Sequence, residues 1–176
     1  MKSRLILLLS SLLLACGDDV PHYTVFIPDN ATGEQQNAVI LALNEWSVKT
    51  NNVFQARPYI VPYKELSHSR NDTNMIYVFF EQPEDPYGEI GECHRNTVAN
   101  GSYIQILPNL QGETLYKVSL HELGHAMQLD HEYQYKAIMQ PRISKQIPNL
   151  QCADLRSFCI RWHCPLPQCT MELFHE

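Results

Sequence analysis

No apolar stretch in the 176 residues reaches the roughly 18–20 that a helix needs to span a bilayer, so a bundle of membrane-spanning helices is excluded. Basic runs are missing too. The 13 Lys and Arg are scattered among 19 acidic residues, giving a formal net charge of −6. A nucleic-acid binder needs a concentrated cationic surface, so no nucleic-acid partner is expected. Internal repeats and low-complexity segments are absent. What is there is 44% hydrophobic and 18% charged, the balance of a globular chain. Its length suits one domain, with or without a small appendage, able to bury a core unaided by metals or disulfides.

The N-terminus reads as a targeting segment. Lys2 and Arg4 precede an apolar run from Leu5 to Leu14 that is interrupted by Ser10 and Ser11. The run ends in Leu13-Leu14-Ala15-Cys16, which resembles a bacterial lipobox, so residues 1–15 are expected to be a signal peptide and 16–22 a lipidated tether. The alternative is an ordinary secretory signal with a coincidental Cys. Both readings export the chain, the first as a lipoprotein anchored to a membrane through Cys16, on its periplasmic or cell-surface side. Export makes disulfides the expected state of the five later cysteines, Cys93, Cys152, Cys159, Cys164 and Cys169, with at least one left over. A second metal site from Cys159, His163, Cys164 and Cys169 is the competing reading.

Helices and strands alternate along residues 23–176, the expected catalytic domain. Tyr23–Ile27 reads as a short strand. Thr32 and Gln35 have capping-box spacing ahead of a helix to about Lys49, whose Val39, Ala42, Leu43 and Trp46 share one face. Arg57–Tyr63 is a candidate edge strand, limited by Pro58 and Pro62. Met75–Phe80 is a continuous run of β-formers and reads as a buried strand. A long loop around Pro83, Pro86, Gly88 and Gly91 follows, then a strand over Tyr103–Leu107. Gly112–Met127 reads as a second helix. Asp154 is the expected cap of a last helix reaching Trp162. This pattern predicts an α/β (α+β) layer.

The second helix contains His121-Glu122-Leu123-Gly124-His125. Two imidazoles at i and i+4 stand one turn apart on one face, where a single Zn²⁺ can take both. Glu122 lies beside that face, within reach of a water on the metal. This is the H-E-x-x-H pattern. His131 follows ten residues after His121, so the chain must turn back after Met127 to supply a third nitrogen. Three neutral imidazoles leave one tetrahedral position open.

His121 to His131, followed by Ala137-Ile138-Met139-Gln140-Pro141, resembles the metzincin clan of zinc proteases, with its third histidine and Met-turn. Within the clan the chain is most similar to the matrixins. Ala42-Leu43-Asn44-Glu45-Trp46-Ser47 looks like their first helix, and Met75–Phe80 like their central strand. The resemblance implies a zincin-like fold: a twisted five-stranded sheet, mostly parallel with one antiparallel edge strand, three helices, and a short C-terminal subdomain after the third His. It implies one catalytic Zn²⁺ on His121, His125 and His131, and Met139 as an apolar floor beneath them. It also implies an edge strand near Gly91, Glu92, Cys93 and His94 to which an extended peptide adds. The expected reaction is hydrolysis of peptide bonds within protein substrates, with Glu122 as general base, by a monomer.

The pattern departs from the family in four places. Gln128 stands where the family has a Gly that turns the chain at positive φ. No segment with a zinc-blocking Cys is visible before the first strand. His68, His94 and the loop from Glu81 to Glu92 are too sparse to assign further zinc or calcium. No Tyr follows Met139 closely, so a Tyr ligand is not supported. Two other functions compete: a non-catalytic zinc-containing binding lipoprotein on the same scaffold, which would have no use for Glu122, and a structural zinc protein. The latter would close the fourth position, for which Asp130 is the nearest candidate.

Overall fold

The computed structural model describes residues 22–66, 68, 71–84, 89–143 and 146–173. Cys16 and the targeting segment lie outside them.

Five strands form one sheet in the order β2-β1-β3-β5-β4. β1 (His22–Pro28), β2 (Gln55–Val61), β3 (Met75–Phe80) and β5 (Gly101–Ile106) run parallel, and β4 (Gly91–Asn96) is antiparallel to β5 at one edge. Alternation along the strands sorts side chains onto two faces. Val25, Ile27, Ile76, Val78, Ile104 and Ile106 enter the main core with the helices. Tyr77, Phe79 and Tyr103 form a second, aromatic layer on the opposite face, with Phe26 packed against it.

α1 (Gly33–Lys49) starts as its sequence predicts: Thr32 accepts from the Gln35 amide, and the Gln35 side chain returns to Thr32 in a reciprocal capping box. Its face of Val39, Ala42, Leu43 and Trp46 is buried. α2 (Gly112–Ala126) packs beside it. Glu45 ties the two helices to the chain ahead of α3: one carboxylate oxygen accepts the Tyr116 hydroxyl, the other the Leu150 amide at 2.7 Å. The Trp46 indole donates to the Leu120 carbonyl at 3.1 Å. α3 (Cys152–Arg161) closes the core from below, with Phe158 fully buried against Trp46 and Phe54.

The antiparallel edge strand that the resemblance implies near Gly91–His94 is β4. Composition alone reads there as loop, with neither β-branched nor aromatic residues, and pairing with β5 imposes the extended form. Three expectations are corrected. β2 covers 55–61 instead of 57–63, because Pro62 leads into a 3₁₀ turn at Tyr63–Glu65. The strand expected at Tyr103–Leu107 is Gly101–Ile106. Asp154 is not the N-cap of α3 but its third residue; Gln151 occupies the N-cap position, and its amide donates to the Asp154 carboxylate at 2.8 Å. The C-terminal cysteines form two disulfides, Cys152–Cys169 and Cys159–Cys164, which rules out a thiolate metal site there. Cys93 is the free cysteine among the described residues.

Candidate metal centre and cleft

α2 carries His121 and His125 one turn apart, and the chain then reverses to bring in His131. The reversal depends on Gln128, which takes φ 72°, the left-handed conformation that the sequence assigned to this position. A non-Gly residue there costs on the order of 1 kcal/mol. Hydrogen bonds hold the turn. The Gln128 amide donates to His125 O at 2.9 Å and the Leu129 amide to Gly124 O at 3.0 Å. The Gln128 side chain reaches Asn96 O at 3.4 Å.

The three Nε2 atoms form a triangle with sides of 3.0, 3.1 and 3.3 Å. A tetrahedral zinc with nitrogens at about 2.0–2.1 Å has an edge of roughly 3.3 Å, so the triangle fits that ion. The tautomers agree. Nδ1 of His121 lies 2.7 Å from Ile138 O, and Nδ1 of His125 lies 2.8 Å from Leu129 O. A carbonyl only accepts, so each Nδ1 carries the proton and each Nε2 presents a lone pair to the same point. Burial pushes the His121 pKa down to about 3, helped by His125. Burial likewise lowers His125 to about 4 and lowers His131. Neutral imidazoles are the ligating form. Among the described residues, these three form the group of His, Cys, Asp and Glu side chains able to hold a metal ion.

Glu122 shares a cleft of about 700 Å³ with the triangle. It is buried and its Oε2 has no hydrogen-bond partner. Burial, then Glu89 and Glu92, raise its carboxyl well above the usual range. Asp130 does not close the site. Its carboxylate pairs with Arg95, whose guanidinium also donates to Leu129 O at 2.8 Å. Leu129 O thereby serves Arg95 and His125 together, and one β4 side chain fixes the turn that leads to His131.

Beneath the imidazoles, Met139 packs on Gly124. A Cβ at Gly124 would lie 2.2 Å from the Met139 sulfur, so this position has room for no side chain. Asp154 holds the Met139 turn from behind. Its carboxylate accepts from the amides of Ile138 at 2.9 Å, Met139 at 3.0 Å and Gln151 at 2.8 Å. Burial pushes that carboxyl up to about 6, although the three amides pull the other way.

β4 lines the cleft and is an edge strand of the sheet among the described residues. Of the four residues expected there, Gly91 lies directly over Glu122, and Cys93 packs toward the main core with its thiol raised by burial. Glu92 and His94 pair with each other at 3.1 Å, and His94 stacks on Tyr103 in the aromatic layer. Arg95 and the holding role of Asp154 were not read from the sequence. Each acts on residues some 15 to 35 positions away, and no local spacing marks such a contact.

Fold and site together define a metzincin-like, zinc metalloprotease-like domain. The chain belongs to the matrixin family: residues 44–157, more than half of it, match the Matrixin family model. It is also similar to Matrix metalloproteinase-16 of Rattus norvegicus and of Homo sapiens, at 28% identity over 131 residues in each case. Those alignments take in 61% of this chain and 20% of the relative, so the chain spans about a fifth of the length of the curated relatives it matches.

Proposed function

We propose that the chain is a zinc-dependent endopeptidase that cleaves extended protein or peptide substrates, with His121, His125 and His131 holding the ion. The observation that carries this reading is Glu122, buried with its Oε2 unpartnered in the same cleft as three imidazoles whose Nε2 atoms converge. Zinc bound there supplies Lewis acidity toward a carbonyl and a water whose pKa is brought toward neutrality. The residues of the chain do the rest. Ile138 O and Leu129 O keep two of the rings in the ligating tautomer. Glu122 is the proton carrier, taking a proton from water at its free oxygen and returning it to the leaving amine. Its raised proton affinity suits the second half of that task. The edge strand β4 aligns an extended peptide across the cleft by main-chain hydrogen bonds.

The test separates metal from chemistry. Glu122→Gln is expected to keep zinc and fold while losing peptide cleavage by ~10²–10⁴-fold. His125→Ala is expected to lose the metal itself. Wild-type cleavage by Glu122→Gln would refute the general-base assignment.

The domain is proposed to be a membrane-anchored lipoprotein, exported behind the signal peptide 1–15 and tethered by lipid on Cys16. The lipobox-like end of the N-terminal segment supports this. Cys16→Ala should move the protein from the membrane fraction to the soluble one. An unchanged distribution would remove the anchor.

A further inference from the structure

Residues 158–173 lie beyond the matrixin match, and their last part returns to the loop that carries the third histidine. That loop, from His131 to Met139, has no helix or strand of its own. It also carries the imidazole with the least support. His121 and His125 are each aimed by a carbonyl at Nδ1, whereas no described residue hydrogen-bonds Nδ1 of His131. The orientation of the third ring therefore depends on the chain that bears it.

On its inner side the loop is tied to the Met139 turn. The Glu132 amide donates to Met139 O at 2.8 Å, and the Gln140 side chain donates to Tyr135 O at 3.2 Å. The C-terminal tail pairs with the loop at Tyr135 and Lys136. Tyr135 forms an antiparallel bridge with Leu173, the Lys136 amide donates to Glu172 O at 2.8 Å, and Lys136 Nζ meets the Glu172 carboxylate at 2.8 Å. Leu173 is itself 55% exposed, so burial does not place the tail. The disulfide to Cys169 does, from Cys152 at the start of α3. Two residues further along α3, Asp154 holds Ile138 and Met139. Both edges of the loop are thus referred to one point.

We propose that the tail from Cys169 to Leu173 is a clamp that positions the His131 loop, with Glu172 and Leu173 as positioning residues. This rests on reading His131 as a metal ligand. Loss of the clamp loosens the third ligand, so metal retention and kcat fall. KM changes little, because β4, where the peptide is proposed to add, pairs with β5 and not with the tail.

The decisive variant ends after Cys169, which keeps both disulfides and removes the bridge. A second, Cys152→Ser with Cys169→Ser in the full chain, frees the tail without shortening it. Amide hydrogen exchange on metal-free protein is expected to rise ~10-fold or more across residues 132–139 in both, with β5 unchanged. Zinc should be lost to a competing chelator at ~10-fold lower chelator concentration, with a similar fall in kcat. Unchanged exchange over 132–139 in the truncated chain overturns the clamp, as does a rise spread equally over β5. A truncated chain that does not fold hands the same decision to the cysteine variant. If the wild type binds no zinc, the metal reading fails, and exchange in the metal-free chain still decides the clamp.

Discussion

Gly91 shows how a single missing side chain can shape the candidate active site. A Cβ there would lie 2.6 Å from Val118 Cγ1 and 2.7 Å from Glu122 Oε1. Gly91→Ala should therefore push the Glu122 carboxylate off its position. The imidazole triangle, anchored separately through Ile138 and Leu129, is expected to stay in place. We expect zinc retained and kcat reduced on the order of 10²-fold, the usual cost of misplacing a reacting group by about 1 Å. Metal content and steady-state kinetics on one preparation check this. A variant with wild-type kcat would mean that Glu122 accommodates the methyl. The candidate ligands His121 and His125 were legible at this scale because i, i+4 spacing is a geometric statement in itself. Gly124 was legible as a letter of the motif but not as a necessity, since the need arises from Met139, fifteen residues later. Gln128 was legible in the reverse sense: the family pattern demanded positive φ, and the chain adopts it without glycine.

Elements bounded by local chemistry were readable, and elements created by their neighbours were not. α1 was marked by its capping box and apolar stripe, and β3 by its run of β-formers. β4 was legible only through the family resemblance and not in its composition, because an edge strand of Gly, Glu, Cys, His, Arg and Asn takes its conformation from β5. The segment after β2 was hidden, and it is fastened to the aromatic face of the sheet through Glu81. His68 approaches Glu81 at 2.8 Å, the Gln105 amide donates at 2.8 Å and the Tyr63 hydroxyl at 3.1 Å, while His68 stacks on Phe79 at 3.9 Å. Burial acts to raise the Glu81 carboxyl, but these hydrogen bonds outweigh it and leave the group below its ordinary value. A lowered folded-state pKa means stability that is present above the unfolded carboxylate range and lost as pH falls through the folded value. Wild type and Glu81→Gln should therefore differ in urea stability above the ordinary carboxylate range and converge as the pH is lowered through the depressed folded-state value. A gap that persists unchanged at the lower pH would show that the charge on Glu81 contributes nothing.

At the scale of the whole molecule, the three candidate ligands are mounted on a core that apolar side chains of sheet and helices fill continuously, and two disulfides brace the segment around α3. Stripping the ion with a chelator is thus expected to abolish peptide cleavage while leaving far-ultraviolet circular dichroism unchanged. Collapse of the helical signal on stripping would show instead that the ion is part of the fold. The sequence has two tryptophans, both buried and both bonded to the backbone of the metal-bearing segment: Trp46 to Leu120 O at 3.1 Å and Trp162 to Met127 O at 3.0 Å. One carbonyl directly precedes His121 and the other ends the helix after His125. All of the intrinsic indole emission of this protein therefore originates on the two ends of the histidine pair. The chain carries its own fluorescent gauge of that helix, with no label to attach and no background tryptophan to subtract.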